Sequence, residues 1–302
     1  GAFRRDLGRS CPAALRRPDF HLAATAHQSK GPRPAQEDRV AVHLDLRRPG
    51  LCPGAPRPHL LRPFAYFALF DGHGGEASAQ YLADRLLDAL VGQPQFFSRL
   101  PHAMDEAAVA LDAELCGELR ARGDESGATG LFAVYDHRSR TLTVANVGDS
   151  RCVLSERGGR ARALSADHRP TDPRERRRCA AAYHGPGGPA AVIQKDRIHG
   201  ILAVSRTFGD QMYKDRGPRR SVVIAEPEVT VRTLGADAEF LVLACDGVWD
   251  VLGSQEAVTF VRLELAAHGD VPRACRALVA EALDLGSVDN CSAVLVVFNQ
   301  PH

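Results

Sequence analysis

Three short apolar runs in this chain each meet an aspartate at one end. Phe64–Phe70 runs into Asp71-Gly72, 240–245 runs into Asp246-Gly247, and Asp289-Asn290 leads into 293–298. Glu37-Asp38 stands just before a fourth such stretch, 40–46. A single Asp-Gly after a strand is an ordinary turn. Three strand ends with aspartate, and a further acidic pair at a fourth, point instead to carboxylates gathered in one place. Glycine after aspartate also lets the backbone approach a ligand closely and leaves its carbonyl open as a ligand.

Carboxylates gathered in this way cannot stay bare. Two unit charges about 4 Å apart cost about 4 kcal/mol at an effective dielectric near 20, so four or five need cations or large pKa shifts. A donor set of oxygens, without a Cys or multi-His set, selects Mg²⁺ or Mn²⁺ over Zn²⁺. Two such ions about 3.5–4 Å apart can bridge a water, lower its pKa to near 7 and neutralise a phosphate dianion. That is the apparatus for direct hydrolysis of a phosphate monoester, a very slow reaction without a catalyst.

The elements that must carry these residues are legible in outline. Continuous apolar runs at 64–70 and 293–298 read as buried strands. Further strands are expected at 40–46, 131–135, 141–147, 151–154, 222–224, 229–233 and 240–245. Leu82, Leu86, Ala89 and Leu90 recur at helical spacing, as do Ala108, Leu111, Leu115 and Leu119. A short helix is expected at 172–182 with Pro173 at its first position. Ser254 is expected to cap another, with Val258, Val261 and Leu265 on its apolar face, and a last helix spans 272–283. Residues 1–20 read as a basic, loosely ordered arm. The loop 47–63 holds five prolines and cannot be helix or central strand. No repeat or Ser/Gly linker divides 21–302, which reads as one domain with a polar flap at about 170–220. Hairpin-joined strands with helices arriving in pairs predict antiparallel sheets under helical layers.

The chain has 302 residues, 38 basic and 37 acidic, with 44% apolar residues. These values exclude a disordered, a collagen-like or a generally basic nucleic-acid-binding chain. No apolar run approaches a membrane span. The first 33 residues carry seven basic side chains against Asp6 and Asp19. They read as a solvated tail, with the remnant of an organelle transit peptide as the alternative. The eight cysteines form no C-x-x-C pair, which fits free thiols in a reducing compartment, cytoplasmic or nuclear, with organelle import left open. A cysteine-nucleophile phosphatase is disfavoured. The C-x5-R spacings Cys11…Arg17 and Cys116…Arg122 fall in the loose arm and within a helical period, not in a phosphate loop.

In order along the chain stand Glu37-Asp38-Arg39, Asp71-Gly72-His73-Gly74-Gly75, Val147-Gly148-Asp149-Ser150-Arg151, Asp167-His168-Arg169-Pro170, Leu202-Ala203-Val204-Ser205-Arg206-Thr207-Phe208-Gly209-Asp210, Asp246-Gly247-Val248-Trp249-Asp250 and Asp289-Asn290. The ordered set, over about residues 21–298, resembles the metal-dependent protein serine/threonine phosphatases of the 2C type. The resemblance implies an α+β fold: a central β-sandwich of two antiparallel sheets with helices on both outer faces. It implies hydrolysis of phosphoserine and phosphothreonine in protein substrates by a water or hydroxide bridging two Mg²⁺ or Mn²⁺ ions. By that resemblance Asp71 bridges the ions, Glu37 and the Gly72 carbonyl complete one side, and Asp246 and Asp289 hold the other. Asp38 orients the water, Arg33 binds phosphate and His73 protonates the leaving alkoxide. Asp167 and Asp250 match positions that bind a weaker third ion in some members. The expected partners are phosphorylated proteins, with no nucleic acid and a monomeric chain.

Some segments carry no such role or depart from the pattern. Gly148–Arg151 reads as a structural turn, and 205–210 as an anchor beneath the flap. Ser126-Gly127-Ala128-Thr129-Gly130 stands where the family has a more hydroxyl-rich run, and 179–190 differs from the usual approach to the flap. The loop 47–63 looks like an insertion. The altered flap keeps a second reading in view, a catalytically inactive phosphatase-like scaffold or regulatory binding protein. Arg174 and Arg176–Arg178, the densest charge cluster, read as a solvated helix face, with a docking patch for acidic substrates as the other reading.

Overall fold

A computed structural model of the chain describes residues 15–17, 21–46, 63–217 and 219–298. Most of the basic arm and of the proline-rich loop therefore lies outside the described residues. Within the arm, β1 (Leu15–Arg17) pairs antiparallel with β2 (Leu22–Ser29). Next come β3 (Arg39–His43), β4 (Phe64–Phe70) and the two-residue β5 (Gly72–His73). Helices α1 (Ala77–Val91) and α2 (Leu100–Arg122) follow, then the two-residue β6 (Gly127–Ala128). β7 (Gly130–Asp136), β8 (Thr141–Val147), β9 (Arg151–Glu156) and β10 (Arg160–Ala163) are joined by short turns.

The flap carries α3 (Pro173–Ala182), the small hairpin β11 (Ile193–Gln194) and β12 (Arg197–Ile198), and β13 (Phe208–Gly209). The chain ends with β14 (Glu228–Thr233), β15 (Ala238–Ala244), α4 (Asp246–Trp249), α5 (Ser254–His268), α6 (Val271–Asp284) and β16 (Cys291–Phe298).

Two antiparallel sheets stack at the centre, in the orders β1-β2-β16-β15-β9-β10 and β14-β8-β7-β4-β3. Alternation within each strand explains why β4 and β16 read as unbroken apolar runs. Ala65, Phe67 and Leu69 of β4 meet Val294, Val296 and Phe298 of β16 between the sheets. Phe64, Tyr66, Ala68 and Phe70 face the other way, against Leu82, Leu86 and Met104 of α1 and α2. Ala293 and Leu295 pack outward onto Val258, Val261, Leu278 and Val279 of α5 and α6. The architecture is therefore four layers, αββα, as expected. Full burial of each Phe or Leu in these layers contributes roughly 1.5–3 kcal/mol.

Strand register places the acidic ends together. Arg39 pairs with Phe70, Leu69 with Leu131, Gly130 with Val147, and Ala244 with both Ala293 and Arg151. The start of β3, the ends of β4, β8 and β15 and the start of β16 thus lie at one end of the sandwich. A small sheet, β13-β6-β5, closes that end.

Two local expectations are corrected. Residues 222–224 make no ladder: only Ile224 bridges, to Arg206, while Val222 and Val223 fill the flap's own core with Cys179, Val192 and Ile198. Ser254 does not cap α5. Gly253 occupies that position and donates its N–H to the Glu256 carboxylate at 2.8 Å, while Ser254 Oγ accepts from Arg151. Asp172 does cap α3, accepting from the N–H groups of Arg174 and Glu175, with Pro173 following it.

Candidate metal centre

Carboxylate oxygens of Asp71, Asp149 and Asp246 all lie within 4.8 Å of one another. Asp71 follows β4, Asp149 follows β8 and Asp246 opens α4, so three strand ends converge. Asp38 is fully buried beside them, where Oδ2 accepts from Ser292 Oγ at 2.6 Å and Oδ1 has no partner. Burial pushes the Asp38 carboxyl up to about 7, against the Ser292 hydrogen bond and with Asp246 and Asp289 adding to the push. Burial also moves Asp149 to about 7, with Asp246 adding to it and Arg169 opposing it. Asp246 rises to about 6 through burial, Asp289 and Asp250. Asp71 is pushed well above the usual carboxylate range by desolvation and then by Asp246 and Asp38. A set of this kind, with an orphaned buried oxygen, is stable as anions only with cations among it. Its hard oxygen donors fit Mg²⁺ or Mn²⁺.

The remaining expected ligands border this group. Gly72 has no room for a side chain, because a Cβ there would collide with the Glu37 backbone carbonyl. Glycine therefore lets the 37–38 and 71–73 segments touch. Asn290 fixes the loop that carries Arg33 and Glu37. Its Oδ1 accepts from Glu37 N–H at 2.8 Å, and its Nδ2 donates to the carbonyls of Lys30 and Ala35 at 2.9 Å each. Asp289 accepts the Asn290 N–H on Oδ1 and the Arg33 guanidinium on Oδ2, at 2.7 Å each. Arg33 is half-exposed and also donates to the Val288 carbonyl at 3.1 Å. It stands at the rim, paired with a carboxylate of the centre.

His73 lies on β5 with Nε2 2.8 Å from Asp210 Oδ2. Burial alone would lower its pKa, but the hydrogen bond and charge of Asp210 outweigh that and raise it. Gly127 of β6 lies directly under this pair. A Cβ at that position would strike both the Asp210 carboxylate and the His73 ring. Asp210 sits in the left-handed region at φ 47° and is held from behind. Asp112 of α2 accepts from Gly209 N–H at 2.9 Å and pairs with the buried Lys214 at 2.7 Å.

Two expectations shift in position. Asp149, expected only in a structural turn, stands in the cluster. Asp167 does not join it: both of its oxygens are taken by Arg151, at 2.9 and 2.7 Å. Asp250 lies at the exposed edge, where Arg169 Nη2 reaches it at 2.7 Å while Arg169 Nε lies 3.2 Å from Asp149. Asp210 is the second unanticipated residue, since 205–210 was expected to anchor the flap without touching the acid. Asp149 had a signal of the same kind as the others, an acid just past the apolar strand 141–147. Asp210 follows no such strand.

A family model described as Protein phosphatase 2C matches residues 50–291. A rice relative, "Probable protein phosphatase 2C 42", is 35% identical over 275 residues, covering 79% of this chain and 77% of its own length. An Arabidopsis relative, "Probable protein phosphatase 2C 69", is 38% identical over 232 residues, covering 77% of this chain but 61% of its own length. Among solved structures, a phosphatase from a pathogenic strain of Toxoplasma gondii superposes with TM-score 0.75 at 24% identity, covering 97% of this chain and 94% of that one. That likeness shows the shared fold.

Proposed function

The chain belongs to the protein phosphatase 2C family and is a phosphoprotein phosphatase, and we propose that it hydrolyses phosphoserine and phosphothreonine monoesters at the carboxylate centre with two Mg²⁺ or Mn²⁺ ions. The observation that carries this reading is the convergence of Asp71, Asp149 and Asp246 beside the buried, half-unpaired Asp38. When bound, two such ions would supply the charge that neutralises a phosphate dianion and would lower the pKa of a water enough for it to be deprotonated near neutral pH.

This chain's residues divide the remaining work. Glu37, Asp71, the Gly72 carbonyl, Asp246 and Asp289 would hold the ions. Asp149, inside the cluster, and Asp250, at its exposed edge, both contact Arg169 and would suit a weaker third ion better than Asp167, whose two oxygens Arg151 occupies. Asp38 keeps one oxygen free, and Ser292 holds its other oxygen in place, which suits it to orient the attacking water and take its proton. Arg33 presents a planar guanidinium at the rim, suited to bidentate capture of phosphate. His73, whose pKa Asp210 raises, is placed to donate a proton to the departing serine or threonine alkoxide. The partners are phosphorylated segments of other proteins. Among the described residues, six cysteines are buried outside any disulfide, which supports the reading of a reducing compartment.

Asp246→Asn tests the assignment. It removes one ligand charge without adding bulk. Turnover is expected to fall at least ~100-fold, with circular dichroism unchanged and fewer ions bound by titration calorimetry. Near-normal turnover with the full complement of ions would refute the assignment.

A further inference from the structure

Helix α3 divides its charges between two faces. Glu175 and Cys179 are buried against the flap core. Arg178 turns inward, donating to Glu175 and to the carbonyls of Val222 and Ser205. Glu175, the helix's own acid, also accepts from Arg206 at 2.7 Å and from Ser205 Oγ at 2.8 Å. Its charge is therefore spent inside. Arg174, Arg176 and Arg177 are exposed on the other side. Arg174 has only loose partners, Asp172 at 3.5 Å and Glu228 at 3.9 Å. Among the described residues, no carboxylate lies within ion-pair distance of Arg176 or Arg177.

This unneutralised face stands close to the acidic centre. Arg169 touches Asp149 and Asp250, and a turn closed by Asp172 N–H to the Arg169 carbonyl, at 2.9 Å, leads straight into α3. At a rise of about 1.5 Å per residue, Arg177 lies roughly 8 Å along the helix from its cap. An extended peptide advances about 3.3 Å per residue. A substrate segment with its phosphate in the centre would reach the three arginines within about five residues. Acidic residues flanking that phosphate would be repelled by the carboxylate-rich cleft and attracted by this face. Guanidinium groups bind carboxylates well, and the Asp172 cap holds the helix at a fixed orientation.

We propose that the exposed face of α3, formed by Arg174, Arg176 and Arg177, docks an acidic stretch of the phosphoprotein substrate a few residues from the phosphorylated side chain. The inference rests on the phosphatase reading above. The test uses the full chain with Mn²⁺ and two phosphothreonine peptides of equal length, one with Asp and Glu flanking the phosphate and one with Ala and Ser. The wild type should favour the acidic peptide roughly 3–10-fold in kcat/KM at low salt, through KM, and lose the preference as salt rises. Arg176→Gln with Arg177→Gln should abolish the preference and leave the neutral peptide unaffected. Reversal of both charges to Glu should disfavour the acidic peptide. Equal rates for the two peptides in the wild type, or a preference retained by the double Gln variant, would overturn the docking role while leaving the phosphatase reading intact. Failure of the wild type to hydrolyse even the neutral peptide would overturn the phosphatase reading, and the docking role with it.

Discussion

At the scale of single residues, the site depends on pairs in which one member does chemistry and the other fixes it. Asp210 raises the His73 pKa, which favours the protonated form that the proposed acid role needs, so its value should depend on how much the leaving group needs a proton. Asp210→Asn is predicted to slow hydrolysis of a phosphothreonine peptide by about 10²-fold, the lower range for loss of acid catalysis. An aryl phosphate, whose phenolate leaves without help, should be nearly unaffected. An equal loss on both substrates would mean that Asp210 serves only the fold. The clustered acids were legible because apolar strands ended in acids, a pattern that needs no knowledge of the fold. Asp149 carried the same signal but is flanked by Gly148 and Ser150, which made a turn the simpler reading. Asp210 was not legible as His73's partner. The two are 137 positions apart, and only the pairing of β5 and β13 through β6 brings them together.

The elements were most legible where burial is two-sided. β4, β15 and β16 are buried on both faces, so their sequences are almost wholly apolar. β2 escaped notice although it lies inside the six-stranded sheet, paired with β16 along its length. Apart from Thr25, its alanines, histidine and glutamine have little strand preference of their own, and the neighbouring strands impose the conformation. The 222–224 stretch failed in the opposite sense, being apolar because it fills the flap core. That flap hangs on Glu175. Burial would raise the Glu175 pKa, but the Arg206 and Arg178 hydrogen bonds hold it well below the usual carboxylate range. A depressed folded value stabilises the fold fully above the unfolded pKa, about 4.3, and that stability is lost as pH falls through the acid range. Glu175→Gln should therefore cost about 3–5 kcal/mol at pH 7. Denaturant titrations should show the gap to wild type flat from pH 8 to 6 and closing below about pH 4.3. A gap that persists unchanged to pH 3 would contradict the assignment.

For the whole molecule, the sandwich is a frame that holds like charges together against their repulsion. Asp38 and Asp149 rise to about 7 and Asp246 to about 6, so the folded state holds protons that the unfolded chain has already released above about pH 4. Raised carboxyl values give the opposite sign to Glu175. Without metal, stability should fall as pH climbs from about 4 to about 7, since each unit of upward shift costs about 1.4 kcal/mol once the group is ionised. Thermal melts of chelated protein should be lower at pH 8 than at pH 5.5. Mn²⁺ should remove most of that difference and release protons when it binds at pH 6. A chelated protein equally stable at both pH values would show that these acids are not crowded as described. On the proposed function, this crowding exists to hold ions for phosphoester hydrolysis. That reading is tested most directly by assaying the purified chain on a phosphothreonine peptide with Mg²⁺ or Mn²⁺ and then with excess chelator. Turnover with metal that chelator abolishes and fresh metal restores is the predicted result. A folded chain with no turnover under either metal, or turnover indifferent to chelator, would contradict it.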